Sequence, residues 1–242
     1  MPEVVFDKIK QKKLADVIAA QIRGEIRSGS LRVGDRLPTE RELIEQLGVS
    51  RATVREALML LEADGFIQVR SGRHGGAYVT TPRIERLATI LDVILAVENT
   101  TTEQLLEARA LMEPLAVRLA SQRATAEDLE RIEASITRAE EHPNDPEIVA
   151  EEAARFHILV AESTHNGVIS ALTATTQQLI YSRASEAFAT QTDSTIRAHR
   201  LILDAIRSRD PETAARRMTR HVEAFRVVLD GKELTEAPPP PR

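Results

Sequence analysis

The chain has 242 residues, of which 42% are hydrophobic, 29% charged and 3% aromatic, with no Trp and no Cys. That balance suits one or two soluble domains with aliphatic cores and a helical lean; the lack of Cys excludes disulfides and thiolate metal sites and fits a reducing cytoplasm. The net charge of -5 argues against a uniformly basic nucleic-acid binder, yet it conceals an asymmetry: residues 1–82 carry 13 Lys and Arg against 11 Asp and Glu, whereas residues 83–242 carry 19 against 26.

The N-terminal MPEVVFDKIKQKK has acids and no long apolar core, so it does not read as a secretory signal. Apolar spacing at Leu14, Val17, Ile18, Ile22 and Ile26 predicts a first helix that ends near Ser28-Gly29. Thr39 with Glu42 three residues on is a capping box, which predicts a second helix running to about Leu47. Gly48-Val49 is the turn, and Ser50 is a good N-cap for a third helix that carries Val54, Ala57, Leu58 and Leu61 inward and ends at Gly65. Residues 66–70 and 77–80 read as two strands around a glycine-rich tip. Three helices and a β-hairpin make a winged helix-turn-helix, expected over residues 8–82.

Beyond Thr80-Thr81-Pro82 the strand signal almost vanishes. Amphipathic segments recur at roughly 84–98, 103–121, 126–141, 146–164, 167–189, 192–208 and 211–229, punctuated by sequences such as His142-Pro143-Asn144-Asp145-Pro146 and Arg209-Asp210-Pro211. The expectation is a mainly α chain whose second domain, residues 83–231, is an all-helical antiparallel bundle. Residues 232–242, with EAPPPPR at their end, read as a disordered proline-rich tail.

A recognition helix offers its N-terminal residues to base edges in the major groove. Here those residues are Ser50, Arg51, Ala52, Thr53 and Arg55, with Arg51 and Arg55 on one face. Arg bonds guanine O6 and N7 in bidentate fashion, worth roughly 1–3 kcal/mol of discrimination per pair. Ser50 and Thr53 suit phosphates. Arg41 in the preceding helix, and Arg70, Arg73 and His74 near the hairpin tip, lie where backbone or minor groove would pass. A lone arginine here reads as a solvated charge; the set reads otherwise, because the apolar residues between its members all face inward.

The LPTEREL segment, GVSRATVREAL and the hairpin entry GFIQVRSGRHGG closely resemble the winged-helix domain of the GntR family of bacterial transcription regulators, over about residues 12–82. The resemblance implies that Arg41, Arg51, Arg55 and Gly72 match DNA-contacting positions, and that the protein binds double-stranded operator DNA as a homodimer on a short palindrome. The His74-Gly75-Gly76 tip departs from the family pattern.

In the second domain His199 and His221 stand 10 or 11 residues on either side of the break at Asp210-Pro211. Both therefore sit about 16 Å along antiparallel neighbours, at equal depth. Both have apolar neighbours at helical spacing, as does His157. Three inward histidines suit a divalent metal with open coordination positions, although each alone reads as a hydrogen-bonded core residue.

Most of residues 85–229 resembles the FCD domain of the FadR subgroup. That resemblance implies one metal, such as zinc, nickel or manganese, held by an Asp four residues before the first His, then by that His and two later ones. The three His map onto His157, His199 and His221, but the Asp position is Ala153. Glu152 is no ready substitute, because five residues place it about 140° round the helix from His157. The site is then completed by water, weakened, or metal-free. The same resemblance implies a small carboxylate or acyl effector in the bundle core. Arg109 matches a cavity-facing position and suits a carboxylate; its alternative is a surface ion pair with Glu113 at i+4. Asn166 matches a recurring family Asn but also suits a helix cap, and Tyr181 and Arg183 are further candidates to line the cavity.

The combination predicts an effector-responsive regulator, with repression relieved by the effector as the family's commoner outcome. A metal-free dimerisation or acyl-effector domain is the alternative for the second half. A metal-dependent hydrolase is a third reading, against which no general base stands near the histidines and a DNA-reading module has no use. No apolar run of about 18 residues is present, so no membrane contact is expected.

Overall fold

The computed structural model describes residues 13–72, 75–82, 84–188 and 192–230. The ends of the two expected domains at residues 8–12 and 231, Arg73 and His74 of the hairpin tip, and the proline-rich tail lie outside these residues. The chain divides into two compact units, Met1–Arg83 and Ile84–Arg242.

The first unit holds α1 (Leu14–Ser28), α2 (Glu40–Leu47), α3 (Arg51–Ala63), β1 (Ile67–Arg70) and β2 (Gly76–Val79). Its ends are set by local chemistry. Thr39 Oγ1 accepts from Glu42 N at 3.3 Å while the Glu42 carboxylate accepts from Thr39 N at 2.7 Å, so two otherwise unpaired amides at the start of α2 are satisfied reciprocally. Ser50 Oγ accepts from Thr53 N at 3.2 Å and starts α3. Gly48 takes φ 64°, the left-handed conformation that lets the chain turn between these helices without a Cβ clash. Ile18, Ile22, Leu43, Val54, Ala57, Leu61, Ile67 and Val79 close around one aliphatic core. The strands pair antiparallel from Ile67 opposite Val79 to Arg70 opposite Gly76, and Arg36 adds an isolated bridge to Tyr78. The result is a winged helix-turn-helix, as the spacing predicts.

The second unit is helical throughout its described residues: α4 (Ile84–Val97), α5 (Thr102–Arg123), α6 (Ala126–Glu141), α7 (Pro146–Glu162), α8 (Gly167–Phe188), α9 (Thr192–Arg207) and α10 (Pro211–Asp230). Each boundary lies within two residues of its expected place. Thr101 and Thr125 form capping boxes at α5 and α6, and Asp145 caps α7 ahead of Pro146. α5 runs along α10, α7 packs on both α6 and α8, and α9 doubles back on α10. One apolar cluster centres on Val117, Ile132, Phe156, Ile202, Ile206 and Met218. Another joins Ala88, Leu105, Leu106, Ala153, Leu179, Ile180 and Phe225. Buried with them are polar side chains that an aliphatic core does not need, among them Arg109, Glu113, His157, Gln177, His199 and His221.

Candidate nucleic-acid interface and candidate metal centre

On α3, Val54, Ala57, Leu58 and Leu61 turn inward, which leaves Arg51 and Arg55 exposed on the opposite side one helical turn apart. Thr53 is held by Ser50, their hydroxyls 2.8 Å apart. Among the described residues Arg51 makes no ion pair. Arg55 instead directs Nε to both oxygens of Glu40, at 3.0 and 3.2 Å, a clamp between α3 and α2 that sequence reading missed. Arg41 reaches only loosely toward Glu45, at 3.9 Å, with 81% of its side chain exposed. The Arg70 guanidinium lies 4.5 Å from the Tyr78 ring centroid, and Gly72 takes φ 103° at the start of the tip.

In the second unit the three expected histidines meet. His157 comes from α7, His199 from α9 and His221 from α10. His221 Nε2 is 3.1 Å from His157 Nε2 and 3.1 Å from His199 Nε2. One ring nitrogen from each lies within 4.8 Å of the others, and all three residues are buried. His199 stacks on Phe156, with centroids 3.8 Å apart. Burial holds His199 and His221 well below the ordinary histidine range, and the neighbouring imidazoles and Arg109 add to that. His157 is lowered by burial too, with Glu113 pulling the other way. The trio is therefore neutral at pH 7, and each ring has one nitrogen without a proton.

Glu113 is the residue that sequence reading undervalued. The Arg109–Glu113 ion pair exists, at 2.8 Å, but it is buried rather than on the surface, with 2% and 4% of the side chains exposed. Glu113 Oε2 is 2.7 Å from His157 Nδ1, and Oε1 also accepts from Gln177 Nε2 at 2.6 Å. Burial pushes the Glu113 carboxyl up, but the Arg109 guanidinium, with His157 adding to it, prevails and brings it down to about 2. Arg109 in turn points Nη2 at His157 Nε2, 2.6 Å away. An anionic acceptor at Nδ1 and a cationic donor at Nε2 both favour the tautomer protonated on Nδ1, which turns the Nε2 lone pair toward the cluster. A signal for this was present: Leu105, Leu106, Arg109, Glu113, Ala116, Val117 and Ala120 form one buried stripe at helical spacing, so both charges had to face inward. Gln177, wholly buried on α8, carried no such signal.

The other candidates make contacts of their own. Ala153 is packed in the apolar core, and the side chain of Glu152 pairs with Arg138 at 3.1 Å and Arg155 at 3.5 Å. Asn166 Oδ1 accepts from the amides of Val168 and Ile169 at 3.0 and 3.4 Å, as an N-cap of α8. Arg183 is tied to Asp92 at 2.7 Å and to the Thr100 carbonyl at 3.2 Å. Tyr181 packs half-buried against the second apolar cluster. Among the described residues no helix is long and apolar enough to cross a membrane.

Residues 14–79 match the family model for bacterial regulatory proteins of the gntR family, and residues 104–224 match that for the FCD domain. The chain is 31% identical over 239 residues to an uncharacterized HTH-type transcriptional regulator, YcbG, of Bacillus subtilis, covering 96% of this chain and 97% of that one. It is 30% identical over 226 residues to the Exu regulon transcriptional regulator of Escherichia coli, covering 90% and 85%. Among solved structures, a Streptococcus agalactiae GntR matches with TM-score 0.67 and 26% identity, covering 88% of this chain and 99% of the other.

Proposed function

The chain belongs to the GntR family of bacterial regulatory proteins, with an FCD domain behind its DNA-binding domain, and from that premise we propose that it is a repressor released by a small carboxylate or acyl effector. It is a DNA-binding transcription regulator and not an enzyme. In this reading Arg51 and Arg55 meet base edges, Ser50 and Thr53 meet phosphates, and Arg41, Arg70, Gly72 and Arg73 flank them on the DNA backbone. A homodimer in the cytoplasm presents two copies of α3 to half-sites about one helical turn apart.

The observation that carries the sensor half is the convergence of three buried imidazoles and one buried guanidinium in a single core. The fit to a divalent ion is good: two imidazole nitrogens bound at about 2.0–2.1 Å to one ion lie about 3 Å apart, which is the spacing found here. His157, His199 and His221 would hold the ion, with Glu113 orienting His157. When bound, the ion would supply a Lewis-acidic anchor for an effector carboxylate. Ala153 offers no ligand, so water or the effector completes the coordination. Effector binding then shifts the paired winged helices by whatever difference in affinity it has for their two arrangements.

Two experiments test this. Arg51→Ala should cost roughly 1–3 kcal/mol of discrimination between operator and scrambled duplex, measured by fluorescence anisotropy, while the dimer stays intact. Undiminished discrimination would remove α3 from the groove. Metal analysis of purified protein, joined to a thermal-shift screen of small carboxylates, tests the sensor. No bound metal and no stabilising carboxylate would leave the helical unit as a dimerisation domain alone.

A further inference from the structure

One nitrogen of the histidine cluster has two claimants. Arg109 Nη2 stands 2.6 Å from His157 Nε2, and that same nitrogen is turned toward the other two histidines, 3.1 Å from His221 Nε2. A neutral imidazole has a single in-plane lone pair, so His157 Nε2 accepts one N–H or binds one cation, and not both. We infer that Arg109 is an internal cation that closes the histidine cluster, and that a metal ion enters only as the guanidinium leaves His157 for an anionic ligand. Metal and anion therefore bind cooperatively. The inference rests on the reading of the cluster as a metal and carboxylate site.

The surroundings of Arg109 suit a side chain with two positions. Nε is anchored on Glu113 Oε1 at 2.8 Å, and Gln177 holds that oxygen from the other side at 2.6 Å. Nη1 is buried with no hydrogen-bond partner among the described residues, so the fork has a donor unspent while it faces His157. The guanidinium lies 5.3 Å from the Phe225 ring centroid, a contact that cushions the cation without fixing its in-plane direction. Glu113 is thus a pivot that keeps the guanidinium beside the cluster in either position.

The coupling follows from charge. A divalent ion among the three Nε2 atoms would stand within a few ångströms of a buried guanidinium, and in that poorly screened interior the two repel. A carboxylate between them removes the repulsion, because it accepts two guanidinium N–H groups on one side and offers lone pairs to the ion on the other. Each ligand then raises the affinity of the other by the same factor. Glu113 is already committed on another side of His157: Oε1 is held by Arg109 and Gln177, and Oε2 lies 2.7 Å from His157 Nδ1, the ring nitrogen away from the Nε2 that Arg109 faces.

Isothermal titration of metal-stripped full-length protein with Ni²⁺, without and with acetate, tests the inference. Acetate binds the free ion weakly and supplies the carboxylate. For the wild type, acetate should tighten Ni²⁺ binding by about tenfold or more. Arg109→Gln should bind Ni²⁺ about tenfold more tightly than wild type without acetate and should lose the response to acetate. Because that variant leaves Glu113 without its counter-charge, Arg109→Gln/Glu113→Gln is measured beside it and should also bind without acetate. Ni²⁺ binding that is no tighter in both variants, or a wild type indifferent to acetate, overturns the role given to Arg109. Folded wild type and variants that all fail to bind Ni²⁺ overturn instead the metal reading on which it rests.

Discussion

Arg55 and Glu40 meet at 3.0 Å with 60% and 39% of their side chains exposed; Arg109 and Glu113 meet at 2.8 Å with 2% and 4% exposed. The contacts are alike in chemistry and opposite in consequence. In water the first pair is screened, and the Arg55 guanidinium is free to turn to another anion such as a phosphate. The second pair has surrendered its hydration, so each charge depends on the other and on the few groups that Gln177 and His157 bring. A surface that must grip and release DNA is served by the first arrangement. A core with the sensor role proposed above would be served by the second, where an added charge meets little screening.

The largest expected effect tests that contrast directly. Glu113→Ala should destabilise the helical unit by about 3–5 kcal/mol, because it strands the Arg109 guanidinium in the core. Glu40→Ala should cost about 0.2–1 kcal/mol. Urea unfolding of both variants, followed by a probe in each unit, gives the comparison. Equal losses would mean that burial is not what separates the two pairs.

The same contrast explains how much could be read in advance. Helix ends are local matters: Thr39 with Glu42, Ser50 with Thr53 and Asp145 with Pro146 announce themselves within four residues, and so the helices stand where their caps place them. The meeting of His199 and His221 was legible for a related reason, since one tight break at Asp210-Pro211 sets both at equal depth. Glu113 was harder. Its partners are Arg109 on its own helix, His157 on α7 and Gln177 on α8, and only the first is near in sequence. The inward face of α5 was visible from its periodicity, but which groups wait across it depends on how three helices pack. The clamp of Arg55 on Glu40 escaped notice for the same reason on a smaller scale.

Removing a cap should give an intermediate effect confined to one unit. Ser50→Ala deletes the acceptor for the Thr53 amide and should cost the winged unit about 1 kcal/mol, with the helical unit unchanged in the same melt. A matching loss in the helical unit would show that the two units do not unfold independently.

The smallest effect on stability belongs to Arg55, and there the comparison turns into one of function. Arg55→Ala removes an exposed ion pair and should change unfolding by no more than about 0.5 kcal/mol. Its effect belongs in the DNA-bound state. If Glu40 only parks Arg55 until DNA arrives, the variant should bind operator more weakly. Where the lost contact is to a phosphate, the slope of log affinity against log salt should fall by about one. Where it is to a base, that slope should hold while discrimination at one position relaxes. Glu40→Ala separates parking from positioning: freeing a parked arginine should leave operator affinity equal or higher, whereas loss of a positioned one should weaken it. Weaker binding by Glu40→Ala would make the α2–α3 clamp part of the reading head, and the exposed pair would then be tied to one geometry no less firmly than the buried one.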